Sequence, residues 1–279
     1  AHEGLRLLGE KFPAGRFSLT LRSLKEFLVF SANFLLGRGE RAGKPPGGSS
    51  QGIVALYRSL FQNYMFRNAG PEFVFTALRA AVILQSRIGP SKELSMGFIG
   101  VALLFTALAF FKTALKLLER ALRMSLEAGD RWCEAYSYGF MGLISEFMGR
   151  YRTGIDHHYA PSMKTFIAIG DIKNIGVIHI GMTQSHLFLS DYAAALEHNM
   201  KSHEIAQKID DRNFIGMSLV YFARICREKG DMAGAGRWAR EACDYNLRNS
   251  LSQNHCAALI ELGCIRHDEK DLSGAIELL

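Results

Sequence analysis

Apolar, small and polar positions recur along this chain with one long period, most plainly between Asp130 and Leu279. Aligning the small residues Ala114, Gly154, Ala195, Ala235 and Ala275 gives successive spacings of 40, 41, 40 and 40. Twelve positions before each stands another small or short residue: Ala102, Gly142, Thr183, Ala223 and Gly263. The position just ahead of that one is always apolar: Val101, Met141, Met182, Phe222 and Leu262. A further column reads Phe111, Tyr151, Tyr192, Met232 and Leu272. Four columns sharing one period define an internal repeat.

Small residues at two fixed places in such a unit predict a close approach of two helices, because bulky side chains would hold the backbones apart. Turns fall between the columns at Met148-Gly149-Arg150, Leu189-Ser190-Asp191, Lys229-Gly230-Asp231 and Glu269-Lys270-Asp271. Others fall between units at Ala128-Gly129-Asp130, Ile169-Gly170-Asp171 and Ile209-Asp210-Asp211. In several of these a Gly can end one helix and an Asp can cap the next. The expected fold is all-α, a stack of antiparallel helix hairpins.

These columns resemble the tetratricopeptide repeat, with its small residue after an apolar one in the first helix and a small residue early in the second. Tyr138 and Phe98 stand at the family's first-helix aromatic position, replaced by His179, Leu219 and Leu259 in later units. The family's unit-ending proline is missing, and the usual unit of about 34 residues is longer here. The resemblance implies a right-handed α-solenoid, a superhelix whose first helices line an inner groove.

Upstream, residues 1–12 read as a helix tail broken at Pro13-Ala14-Gly15, and residues 18–36 as a long amphipathic helix with Leu21, Leu24, Leu28 and Phe34 among its apolar positions. Residues 37–52, rich in Gly, Pro and Ser, read as a mobile connector. The run around Lys44 lacks the order of a phosphate-binding loop, and no strand precedes it. Two helices follow, over 53–69 and 72–88. The expected organisation is therefore N-terminal helices and connector (1–52), a degenerate helix pair (53–93), and repeats over 94–129, 130–170, 171–210, 211–249 and a truncated 250–279.

A narrower resemblance rests on Leu8-Gly9 with Pro13 and Arg16, Tyr57-x-x-Leu60 with Tyr64, Phe66 and Asn68, then Ala77-Leu78-Arg79 and Gly89-Pro90-Ser91-x-Glu93-Leu94. These segments look like the region that follows the AAA-like or STAND ATPase module in large bacterial signalling proteins of the adenylate/guanylate cyclase or protein kinase type. It covers essentially the whole chain. None of the Walker motifs or cyclase metal-binding aspartates of those parents has a counterpart here, so the resemblance implies that catalysis resides in other domains.

Residues 94–111 carry no charge and are long enough to span a bilayer, but they fit the repeat register and so read as an internal helix. The net charge of +6 is uneven: 17 Lys/Arg face 9 Asp/Glu through Asp130, against 16 and 18 beyond it. The basic half favours an acidic partner, or its charges are solvated. Five cysteines without zinc spacing read as reduced thiols of a cytoplasmic protein. A chain that opens at Ala1 without an initiator Met and stops at Leu279 inside an expected second helix reads as part of a longer protein.

Candidate chemistry is sparse. His179 and His186 lie two turns apart, about 10 Å, too far for one metal, and His198 and His203 fall on different faces of the next helix. Carboxylates at Asp210-Asp211, Asp268-Glu269 and Asp271 sit at turns, where capping is their ordinary use. No catalytic, cofactor-binding or metal-binding residue is assigned, and no cofactor is expected.

Column matching with tetratricopeptide relatives puts Tyr136, Gly139, Leu143 and Glu146, then Val177, Ile180, Gln184 and Leu187, then Met217, Val220, Arg224 and Arg227 on the inner face. Arg224 and Arg227, three apart, are placed to hold a carboxylate. The expected function is a non-catalytic protein or peptide interaction module of a bacterial signalling regulator, acting on its attached ATPase and output domains and without direct nucleic-acid or membrane contact. The alternatives are a free-standing quorum-type peptide receptor and the arm of a LuxR-type transcription activator.

Overall fold

A computed structural model describes residues 2–37, 52–57, 59–60, 70–87 and 92–276. Most of the expected connector lies outside the described residues, as do Tyr64, Phe66, Asn68 and Gly89-Pro90-Ser91. All regular elements among the described residues are helical, and the chain divides into two units, Ala1–Ile144 and Ser145–Leu279.

The first unit holds α1 (His2–Leu7), α2 (Arg16–Leu35), a helical stretch over residues 52–57, α3 (Gly70–Arg87), α4 (Lys92–Ala107) and α5 (Phe111–Ala128). It also holds most of α6 (Arg131–Phe147). Leu94, Phe98, Val101, Ala102 and Leu104 of α4 are buried, as expected of an internal helix. No helix among the described residues is long and apolar enough to cross a membrane.

Helix α2 departs from the amphipathic reading. It turns Leu19, Ser23, Glu26, Phe30 and Asn33 inward, whereas Leu21, Leu24 and Leu28 are exposed. The inward polar residue Glu26 is tolerated because it meets a cation: Arg79 of α3 lies 3.2 Å from Glu26 and 3.0 Å from Glu10. Tyr57 donates to Glu10 as well. Burying a carboxylate against a guanidinium offsets the desolvation that would otherwise exclude it.

The second unit is an α-solenoid. It begins in the last turn of α6. Next comes α7 (Tyr151–Thr153), which runs through a π-helical segment, Gly154–Tyr159, into α8 (Ala160–Ile169). The hairpins α9 (Ile172–Phe188) with α10 (Tyr192–Lys208) and α11 (Arg212–Glu228) with α12 (Met232–Arg248) follow, and then α13 (Ser252–Asp268) with α14 (Leu272–Ile276). The small columns are interior: Thr183, Ala195, Ala223 and Ala235 are fully buried.

Every turn repeats one device. A left-handed residue (Gly149, Gly170, Ser190, Asp210, Gly230, Ser250 or Lys270) is followed by the residue just ahead of the next helix. The amide of that second residue reaches back to a carbonyl five positions earlier, as Asp191 does to His186 and Asp231 to Cys226, closing a Schellman turn. Where the second residue is Asp, its carboxylate then caps the new helix, accepting from Asn174, Ala194, Phe214, Gly234 and Gly274 amides in turn.

The single spacing of 41 has a structural cause. Gly154 matches Ala195 at 41, yet Tyr159, Ser162 and Phe166 match Asn199, Ser202 and Ala206 at 40, and all of these are buried. One extra residue therefore enters between 154 and 159, where the helix widens into its π-turn, the usual form of a one-residue insertion.

Candidate functional site

The candidate site is the row of side chains that successive first helices of the second unit present to one another. Its first link is Glu146, at the end of α6. Its carboxylate is buried and accepts hydrogen bonds from Tyr159 Oη and from Ser185 Oγ on α9, both 2.8 Å away. Tyr159 reaches it from the π-turn, and its ring fills the space that a side chain at Gly181 would take: a Cβ there would fall 2.5 Å from the ring. Burial pushes the Glu146 carboxyl up to about 7, and the two donated hydrogen bonds limit the rise.

The second link joins α9 to α11, with Tyr221 Oη donating to Gln184 Oε1 at 2.5 Å. Burial, with the Glu146 carboxylate adding to it, raises the Tyr221 hydroxyl far above the ordinary phenol range, so it is a donor at all working pH values. The third link joins α11 to α13. Arg227 Nε lies 3.3 Å from Glu261, and its terminal nitrogens pair with Asp268 at 3.2 Å and Glu228 at 2.9 Å. Arg224 is 3.8 Å from the same Glu261 and stands over the Phe188 ring at 5.5 Å. The links between successive first helices, Glu146–Ser185, Gln184–Tyr221 and Arg227–Glu261, join residues 39, 37 and 34 apart, roughly one repeat length, so the row is the repeat expressed in polar contacts.

The residues selected from sequence fall into three groups. Tyr136, Gly139 and Leu143 lie on α6 within the first unit and are half-buried, with Tyr136 stacked on Trp132. Glu146, Ile180 and Leu187 are buried. Val177, Gln184, Met217, Val220, Arg224 and Arg227 are half-buried on α9 and α11. Arg224 and Arg227 share a face as their spacing of three requires, and the carboxylate they hold is internal, Glu261. Tyr159, Ser185, Tyr221 and Glu261 were not read from sequence, although Tyr221 and Glu261 occupy one column 40 apart.

The histidines also come together differently from their one-dimensional spacing. His198 of α10 bridges the two on α9: its Nδ1 lies 2.8 Å from His179 Nδ1, and its ring stacks on His186 at 5.4 Å between centroids. Burial, and then the neighbouring His198, push His179 down to about 4. Among the described residues no group of three or more His, Cys, Asp or Glu is arranged to hold a metal ion.

No protein-family model matches the sequence, and no curated protein does. Solved structures do share the fold. A Signal Transduction ATPase with Numerous Domains (STAND) protein with a tetratricopeptide repeat sensor, from Pyrococcus horikoshii, superposes with a TM-score of 0.64 at 12% identity, over 82% of this chain and 34% of that one. Aspartyl phosphate phosphatase F from Bacillus subtilis gives 0.64 at 14% identity, over 92% and 70%. A Rap protein complexed with Competence and Sporulation Factor gives 0.63 at 10% identity, over 95% and 75%. The chain spans about a third of the STAND protein it matches. Its fold is that of tetratricopeptide-type helical repeats, as the sequence columns imply.

Proposed function

We propose that this protein is a non-catalytic protein- or peptide-binding module, and that it acts as the sensor region of a multidomain signalling regulator with attached ATPase and output domains. The observation that carries the reading is the row on α9 and α11. A half-exposed cation, Arg224, stands over Phe188 beside the Gln184–Tyr221 pair, and Val177, Met217 and Val220 provide partly open apolar surface along the same helices. Apolar area supplies affinity and a few fixed polar groups supply orientation, the usual composition of a recognition surface. The relay to an ATPase is supported by the sequence resemblance and by the fold shared with the STAND sensor. A peptide is favoured as ligand class by the equally good superposition on a Rap protein solved with Competence and Sporulation Factor.

The test is to capture a partner with the immobilised chain and titrate it calorimetrically. Arg224→Ala with Arg227→Ala is expected to weaken binding more than tenfold while the helical circular dichroism persists. Unchanged affinity would move the site off this face. The chain alone is expected to turn over no ATP; turnover surviving a contaminant control would overturn the non-catalytic reading.

A further inference from the structure

The exposed leucines of α2 lie in the first unit, remote in sequence from the row described above. Leu21, Leu24 and Leu28 are 60%, 54% and 60% exposed. Their spacing of three and four puts them on one stripe about 10 Å long. That stripe forms one wall of a groove of about 890 Å³, whose other side is the Gly9–Lys11 segment with Phe75 and Arg79 of α3. The inward face of α2 already packs Leu19 and Phe30 into the core beside Ser23, Glu26 and Asn33, so the three leucines form a second apolar face that the described residues leave open.

The charge around the groove that has no ion-pair partner among the described residues is positive. Its two acids, Glu10 and Glu26, are both committed to Arg79. Lys11, Arg22 and Lys25 also line the groove, and among the described residues none of them has a carboxylate within ion-pair distance; Arg22 bonds only to the Lys11 carbonyl, at 3.2 Å. The groove is thus apolar along one wall and cationic beside it, in the half of the chain with 17 Lys/Arg against 9 Asp/Glu.

We propose that this groove docks an amphipathic acidic helix of a partner protein, with apolar residues at i, i+3, i+4 and i+7 on the Leu21–Leu24–Leu28 stripe and flanking Glu or Asp against Lys11, Arg22 and Lys25. A groove walled by two helices and a chain segment accepts a third helix by ridge-into-groove packing. Concavity separates this partner from an anionic bilayer, which needs a convex apolar face to enter and would leave the groove unfilled.

The experiment uses the full chain and a labelled 18-residue helical peptide carrying Leu at i, i+3, i+4 and i+7 with Glu on its flanks. A second peptide has Lys in place of Glu, and a third is scrambled. Fluorescence anisotropy is expected to show binding of the Glu peptide alone, at least tenfold weaker for Leu24→Gln with Leu28→Gln and weaker with added salt. Arg22→Glu with Lys25→Glu is expected to transfer preference to the Lys peptide. All four positions are on the surface, and circular dichroism checks the fold. Equal binding of the Glu and Lys peptides by the unaltered protein, or no binding of either, would overturn the proposal. So would Leu24- and Leu28-dependent binding to phosphatidylserine vesicles without binding to the peptide.

Discussion

The Nδ1 atoms of His179 and His198 lie 2.8 Å apart, so one imidazole donates the proton that the other accepts. Protonating both rings would set two cations in contact, with Lys201 adding repulsion and the exposed Glu197 and, beyond His186, Asp191 opposing it. His179 is held down to about 4, below its ordinary value. Between about pH 6.5 and 4 the unfolded chain therefore binds a proton that the folded chain refuses, and stability falls as pH falls through that window. His179→Leu, which installs the residue found at this column in the next two units, is expected to flatten the loss by about 1 kcal/mol after allowance for partial exposure. Thermal melts from pH 7 to 4 check it; parallel curves would mean that His179 is not the titrating group.

Glu146 works in the opposite sense. Its folded pKa of about 7 lies above that of an unfolded glutamate, so the folded chain keeps a proton the unfolded chain loses. Stability contributed by this group is present at pH 4 and is lost as pH rises to 7. Glu146→Gln retains an acceptor for Tyr159 and Ser185 and cannot ionise. The variant is expected to gain about 2 kcal/mol relative to the unaltered protein on going from pH 5 to pH 8. A stability difference that does not vary with pH would refute the assignment.

Gly181→Ala is expected to cost about 1 to 3 kcal/mol, because the added methyl meets the Tyr159 ring. Pairing it with Tyr159→Leu should recover part of that loss, so a double-mutant cycle by denaturant titration should give a coupling above about 0.5 kcal/mol. Additive effects would show that the ring is not what fills the space over Gly181.

The columns themselves can be tested at Ala223, fully buried and packed with Ala235, Ala239 and Ile265. Ala223→Leu is expected to cost about 1 to 3 kcal/mol by overpacking, whereas Lys201→Leu on an exposed face should change little. Gly142→Leu, buried in the first unit, belongs with Ala223→Leu. Melts that coincide for all three would remove the basis of the repeat alignment.

The hairpins were legible because close helix packing demands small residues at a fixed period, and the turns because Gly and Asp perform local tasks there. Side-chain partnerships were less legible. That Arg224 and Arg227 share a face follows from their spacing, but Glu261 enters through the next hairpin, and only reading down the column of Tyr221 would have found it. His198 and His203 share a helix but not a face, and the partners of His198, His179 and His186, are across the hairpin, which spacing along one helix does not show. On α2 the leucine pattern was visible but its direction was not: hydrophobic periodicity names an apolar stripe, and Arg79 is what lets the opposite face, with Glu26, turn inward.

One codon added to a gene for stacked helices would ordinarily turn every later residue of that helix by about 100°, sending its core positions toward water. The widened turn at Gly154–Tyr159 confines that rotation to a few residues: Ser162 and Phe166 return to the same phase as Ser202 and Ala206. It acts as an expansion joint, letting one module change length while its neighbours keep their fit. Tyr159 closes the joint already in phase with Asn199, and from there its ring covers Gly181 and its hydroxyl reaches Glu146, so the point where the extra length is absorbed is also tied to the neighbouring helices.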